Sequence, residues 1–271
     1  MRAETKVVSS TALLAAAAAA ASSQSAMAAD LGPVPVAAPT WQGFYVGGHV
    51  GASWLSSVSD DSGYSVSAYA ASYSLITPGT ANTATAIGII GGPQIGYNFQ
   101  ARNFVFGAEA DFSFLGNSQA TSHGTRQTAG SPNYAYTITT NVSTTRTSSI
   151  DQMATFRVRF GLDFDGTMPF VTGGLAIANI KNTYTSFAVN AYGGSSLVST
   201  SSTTWTPGLA LGAGVEHQFG SHWSVRGEIL WVGFEDQTLN VSDFAGFGNP
   251  AGTVKFTNSL IIGQLGMNYR F

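Results

Sequence analysis

Seven charged residues are placed where they could do chemistry together: Glu109 and Asp111, Arg157 and Arg159, Glu216, and Arg226 with Glu228. Three pairs are spaced two residues apart, so in an extended chain both members of a pair point to the same side. Carboxylates and guanidiniums collected on one side can neutralise one another as ion pairs or line a narrow polar path. Such residues are scarce elsewhere. Asp, Glu, Lys and Arg make up 9% of the 271 residues, against about 25% in an average soluble domain.

Other chemistry has less support. Hydrolysis by a nucleophile needs a base beside it and a third group to orient the base. Of the four histidines, His49 lies within an alternating apolar stretch, and His217 and His222 flank a short turn. His123 follows Ser122 in a Ser/Thr-rich segment with no carboxylate placed to orient it. An enzyme is therefore not expected. His123 is a weak candidate ligand for haem or a metal, but a single histidine in a polar segment is ordinarily solvated, so no cofactor is expected. Gly47-Gly48 and Gly173-Gly174 fall inside strands and not before helices, so they form no phosphate loop. The chain has no cysteine for a disulfide or thiolate site. A net charge of −3 leaves no basic surface for nucleic acid.

Period-2 alternation must position the seven charges. Phe104, Phe106, Ala108, Ala110, Phe112 and Phe114 alternate with Val105, Gly107, Glu109, Asp111 and Ser113. The same pattern predicts eight strands, at 44–54, 86–99, 104–114, 150–162, 169–179, 205–219, 223–233 and 254–271. A misread pair of strands would make the count ten. In the second strand Pro93 falls on the apolar side and is expected to mark a bulge. In the fourth, Ile150 is expected on the apolar side and Asp151 with the charges. In the fifth, Val171, Leu175 and Ile177 are assigned outward against Phe170 and Ala176. Arg270 also falls on the charged side. The last strand carries Leu265, Met267, Tyr269 and Phe271 on its apolar side, an aromatic ending suited to a membrane interface.

Ten residues tilted by about 45° rise roughly 25 Å, the height of an outer-membrane apolar band. The connections at 100–103, 163–166 and 220–221 are short, and those at 55–85, 115–149, 180–204 and 235–253 are long. Short and long alternate, as periplasmic turns and extracellular loops do. Strand-prone 137–147 is expected to extend a hairpin above the membrane. A lipocalin-like barrel or a β-sandwich would need a charged outer face. The fold class is therefore all-β: an eight-stranded antiparallel transmembrane up-and-down β-barrel. Its charges then face a lumen just wide enough for its own side chains, which favours a plug; a small ion path is the alternative.

The N-terminal segment has Arg2 and Lys6, an apolar run over 7–21, and Ala26-Met27-Ala28 as a small-x-small cleavage pattern. Residues 1–28 are expected to be a signal peptide, the Pro-rich stretch 29–40 a periplasmic linker, and 41–271 the barrel.

The motifs Trp41-Gln42-Gly43-Phe44-Tyr45-Val46-Gly47-Gly48, Gly92-Pro93-Gln94-Ile95-Gly96-Tyr97-Asn98-Phe99-Gln100 and Phe104-Val105-Phe106-Gly107-Ala108-Glu109-Ala110-Asp111-Phe112 occur in that order. Pro169-Phe170-Val171-Thr172-Gly173-Gly174-Leu175-Ala176, Gly212-Ala213-Gly214-Val215-Glu216 and Asn268-Tyr269-Arg270-Phe271 follow. Together they resemble the Omp25/Omp31-type outer-membrane β-barrels of alphaproteobacteria, a porin family of OmpA-like small barrels. The resemblance implies a cell-surface protein of the outer membrane that supports envelope integrity. It implies outer-membrane lipid as surroundings, and Phe271 with Tyr269 and Met267 as the signal read by the barrel-assembly machinery. Some relatives bind haemin or host components, and no catalytic residues carry over. The expected function is that of a monomeric structural barrel with interaction loops and a mostly plugged lumen. A small-solute channel and a loop-borne receptor for haem or a host ligand are the alternatives.

Overall fold

A strand that is apolar on one side and small or polar on the other satisfies its backbone in lipid only within a closed sheet. The computed structural model closes that sheet. It describes residues 40–61, 64–67, 74–77, 81–129, 139–190, 195–242 and 251–271. The expected signal peptide and all but the last residue of the expected linker lie outside the described residues.

Twelve strands are described: β1 (Gly43–Asp61), β2 (Tyr64–Ser67), β3 (Ser74–Thr77), β4 (Ala81–Ala101), β5 (Phe104–Gly116), β6 (Gln119–Ala129), β7 (Thr139–Leu162), β8 (Thr167–Asn190), β9 (Ser195–Phe219), β10 (Trp223–Phe234), β11 (Gln237–Ser242) and β12 (Ala251–Arg270). Eight form the ring, in the order β1-β4-β5-β7-β8-β9-β10-β12, with β12 pairing back to β1. β6 continues the course of β5 along β7, and β11 continues that of β10 along β12. β2 and β3 pair with each other.

Paired residues can be followed once round the ring from Leu55, through Leu260, Val232, Ala210, Gly174, Arg157, Glu109 and Gly96. The path returns to β1 at Tyr45, ten residues from its start. Eight strands with that stagger tilt by about 40° and enclose a backbone cylinder of about 8 Å radius. A tube so narrow is just wide enough for its own side chains to fill.

The short turns use residues that tolerate a left-handed backbone. Asp165 and Gly166 both have positive φ, 52° and 81°, as a two-residue hairpin turn requires. Asp163 Oδ1 accepts the Gly166 N–H at 3.1 Å.

Apolar residues cover the outside of the tube. On β8, Val171, Leu175 and Ile177 are exposed while Phe170 and Ala176 are buried, so the odd positions face outward. Aromatics gather at both rims of the apolar band, Phe44, Tyr97, Phe104, Trp223 and Phe271 at the short-turn end and Trp54, Phe114, Trp205 and Trp231 toward the loops. The expected extension of hairpins beyond the band also occurs. β7, β8 and β9 are 24, 24 and 25 residues long, more than twice what a crossing needs.

Three local expectations are corrected. Pro93 produces no bulge. Gly91 pairs with Phe114 and Gln94 with Asp111 in one unbroken register, and Pro93 stands opposite Gly48 on the other side. The missing N–H interrupts the ladder without adding a residue, and the ring of Pro93 faces outward. The bulge lies at Asp151 instead, where the β7–β8 register shifts between Ile150 and Gln152. One extra residue reverses the alternation beyond it. Ile150 is thereby turned inward and buried, and Asp151 outward and exposed. Arg270, expected in the lumen, reaches the short-turn rim, where its Nη2 donates to the Ser221 carbonyl at 3.1 Å.

Candidate functional site

The inward positions of β5, β7, β9 and β10 bring the seven sequence-selected charges into one connected cluster. None is more than 8% exposed. Arg157 donates to Glu228 at 2.5 Å, to Glu109 at 2.7 Å and to Asp111 at 3.0 Å. Arg226 reaches Glu109 at 2.5 Å and Glu228 at 3.1 Å. Arg159 pairs with Glu216 at 2.5 Å and lies 4.0 Å from Glu109. Glu109 therefore touches all three guanidiniums and is the hub.

The ladder register and the ion pairs differ in one instructive place. Arg226 stands directly across from Glu216, as the short turn between β9 and β10 suggests. Its guanidinium nevertheless crosses the tube to Glu109 on β5, and Glu216 is left to Arg159. Adjacent strands set which residues are level; the length of an arginine side chain in a narrow tube sets whom it meets.

Four carboxylates face three guanidiniums, and neutral donors take the surplus. Tyr45 Oη donates to Glu109 at 2.6 Å, Gln264 Nε2 to Glu228 at 2.7 Å, and Asn268 Nδ2 and Ser224 Oγ to Glu216 at 2.9 and 2.5 Å. Thr155 Oγ1 donates to Asp111. Gln94 Oε1 accepts from Arg226 at 2.9 Å. Hydrogen bonds of this kind to each carboxylate offset part of the cost of taking charges out of water. Sequence reasoning missed these neutral partners, although each occupies an inward position of its strand.

Glycines make room for the large side chains. Tyr45 faces Gly96, Arg157 faces Gly174, Arg159 faces Gly107 and Arg226 faces Gly266 across their ladders. A Cβ on Gly96 would stand 2.3 Å from the Tyr45 hydroxyl, so that position admits no side chain while Tyr45 points inward. Alternation of large and small across a ladder is how a tube of this radius is packed.

Apolar layers close the cluster above and below. Toward the short turns lie Trp41, Val105, Met168 and Phe170, with the Arg159 guanidinium 4.3 Å from the centre of the Phe170 ring. Toward the loops, His49 Nε2 and Ser113 Oγ meet at 3.0 Å. Beyond them is a larger buried layer that includes Leu55, Ile90, Leu115, Ile150, Met153, Leu230, Val232, Leu260 and Ile262. Sequence reasoning missed this layer too. Its signal is a short run apolar on both sides of a strand, as in Ile89-Ile90 and Leu260-Ile261-Ile262. Higher still, Arg146 pairs with Asp61 at 3.3 Å and lies over the Tyr184 ring.

The remaining sequence candidates lie apart. His123 is exposed on β6, with Nδ1 3.1 Å from Thr145 Oγ1. Among the described residues, no group of three or more His, Cys, Asp or Glu is placed to hold a metal ion. His217 meets Thr167, and His222 meets Ser221 while stacking on Tyr269. Tyr269 also packs edge-on against Trp223 and Phe271, at 5.1 and 5.3 Å between centroids. The Phe271 N–H donates to the Phe44 carbonyl at 3.0 Å, while the Phe271 and Met267 side chains face outward. Above the loop-side aromatics, Lys255 pairs with Asp236 at 2.7 Å. Hydrogen bonds from Lys255 and Thr257 hold the Asp236 carboxyl below its ordinary pKa.

A model of the outer membrane protein beta-barrel domain matches residues 11–271. The 31 kDa outer-membrane immunogenic proteins of Brucella melitensis and Brucella suis are each 29% identical over 231 residues, 79% of this chain and 83% of theirs. Among solved structures, the outer membrane protease OmpT of Escherichia coli overlaps 84% of this chain and 97% of its own, at 9% identity and a TM-score of 0.39. That overlap is too loose to bear on function.

Proposed function

This chain belongs to the outer membrane protein beta-barrel domain family and is an outer-membrane protein of the Omp25/Omp31 type, and from that premise we propose that it is a structural barrel of the cell surface with a closed lumen. The carrying observation is the stacking of side chains along the tube: an apolar layer, the seven-charge cluster, and a second, larger apolar layer. A conducting path needs water or polar groups along its whole length, and a dry apolar constriction stops ions by dewetting. The role that suits such an object is mechanical. It holds a rigid wall in the membrane and displays long strands outside. The proposal includes export directed by residues 1–28 and a monomeric state.

The test is planar-bilayer recording of the refolded protein. No steady openings are expected, with folding checked by the shift in gel mobility between unheated and boiled samples. Stable, reproducible single-channel steps would replace the structural reading with that of a small-solute channel.

The proposal extends to assembly. Met267, Tyr269 and Phe271 present an aromatic-apolar edge on the outer side of β12, and the barrel-assembly machinery reads that edge. Deleting Phe271 should sharply lower the amount of protein recovered in outer-membrane fractions. Refolding of the same variant in detergent should proceed as in the wild type. Normal amounts in the membrane would remove the assembly role and leave the barrel as it stands.

A further inference from the structure

Above its loop-side aromatics the outward side of the wall turns polar for several residues, up to the exposed Phe187–Leu197 pair. On β8 it runs Val171, Leu175, Ile177 and then Lys181, Thr183, Thr185. On β9, descending, Ser199, Ser201 and Thr203 give way to Trp205, Leu209 and Leu211. β6 and β7 join the same face. The registers align two rows across four strands, Thr121–Thr147–Thr183–Ser201 and His123–Thr145–Thr185–Ser199. Several of these side chains are ordered against one another. Thr121 and Thr147 hydroxyls are 3.2 Å apart, and Thr185 and Ser199 hydroxyls 3.1 Å. The result is a grid of hydroxyls about 5 Å apart between strands and about 7 Å apart along them.

A face that meets only water ordinarily carries charges at roughly a quarter to a third of its positions. In these two rows there is no carboxylate, lysine or arginine. The nearest such residue on the outward side is Lys181, exposed and level with Ser149 and Thr203, with the outward Asp151 below it on β7. It sits one outward step above the Asn179–Trp205 pair, and so directly above the aromatic belt. This face continues the lipid-facing band without a break, on the same strands and the same side. What borders it is therefore whatever borders the apolar tails above the interface. In the outer leaflet of an outer membrane that is the phosphorylated, sugar-bearing headgroup of the glycolipid. Threonine and serine hydroxyls both donate and accept, which suits sugar hydroxyls of either polarity. A lysine at the base of the grid is placed for a phosphate.

We infer that the outward face of β6–β9 above the aromatic belt binds the headgroup oligosaccharide of the outer-leaflet lipopolysaccharide, with Lys181 on a phosphate and the Thr/Ser rows on the sugars. This rests on the outer-membrane location and is independent of whether the lumen is closed.

The test uses the refolded full chain with three probes: lipopolysaccharide with an intact core, lipid A lacking all core sugars, and the core oligosaccharide freed of lipid. Bound probe is counted by native mass spectrometry in detergent. The wild type should hold the intact lipopolysaccharide at least about tenfold more tightly than lipid A, since each of several hydrogen bonds adds a few-fold. The variant Thr147→Val/Thr183→Val/Thr185→Val keeps the β-branched shape and should fold, as checked by gel mobility, yet bind both lipids equally. Lys181→Gln should weaken both lipids alike, because the phosphates belong to lipid A. Equal binding of the two lipids by the wild type would overturn the inference, as would a preference that survives in the valine variant. Free oligosaccharide bound as tightly as the intact lipid would also overturn it, by moving the partner from the membrane to a soluble glycan.

Discussion

Replacing Arg157 with methionine is expected to cost the folded barrel about 3–5 kcal/mol, the usual penalty for removing one partner of a buried ion pair. Arg157 is 1% exposed and neutralises Glu109, Asp111 and Glu228 together. Without it, Glu109 keeps Arg226, and Glu228 keeps Arg226 and Gln264. Asp111 keeps only neutral donors, Thr155 and Ser113. The loss is therefore one of charge balance more than of packing, because methionine fills much of the same volume. Pairing Arg157→Met with Asp111→Asn removes the carboxylate left without a cation and should restore a substantial part of the loss. Urea titration of the refolded protein, followed by tryptophan fluorescence, measures both. A penalty under about 1 kcal/mol for the single variant is what an exposed pair would give, and would mean that water already reaches the cluster.

Much of this cluster is legible in the chain. Period-2 spacing alone places Glu109, Asp111, Arg157, Arg159, Glu216, Arg226 and Glu228 on the side opposite the phenylalanines, and the alternation of short and long connections orders the eight strands. What escapes the sequence has physical causes. Partner choice escapes because the ladder fixes height but not reach, so that Arg226 meets Glu109 and not its neighbour Glu216. The bulge at Asp151 escapes because a single inserted residue leaves the alternation intact on both sides of itself. Strand ends escape because Ser and Thr on both faces, as in 139–149 and 199–204, give no contrast for periodicity to detect. The larger apolar layer escapes because Ile90, Leu230 and Ile262 sit beside outward Ile89, Trp231 and Ile261. A run apolar on both sides records that the interior itself turns apolar toward the loops.

That layer leads to the second large effect. If it is the seal, then thinning it should open the tube, while neutralising charges should not. Leu55 and Leu260 are the candidates for removal. They pair across β1 and β12, are almost fully buried, and belong to the same interior layer. The variant Leu55→Ser/Leu260→Ser is expected to show single-channel openings in a planar bilayer where the wild type shows none. Each substitution takes away a branched apolar side chain and leaves a hydroxyl that water can follow. The cost in stability is roughly 2–5 kcal/mol per site, so recordings count only for protein that retains folded mobility on unheated gels. The comparison arm is Arg157→Met/Asp111→Asn, which alters the charged cluster and leaves Leu55, Leu260, Ile90 and Leu230 in place. It should stay silent, because ions would still meet a dry constriction on the loop side. Openings in the charge variant and silence in the folded serine variant would place the barrier in the ion pairs instead. In that case the apolar layer serves packing alone, and closure of the lumen depends on electrostatics that salt and pH could loosen.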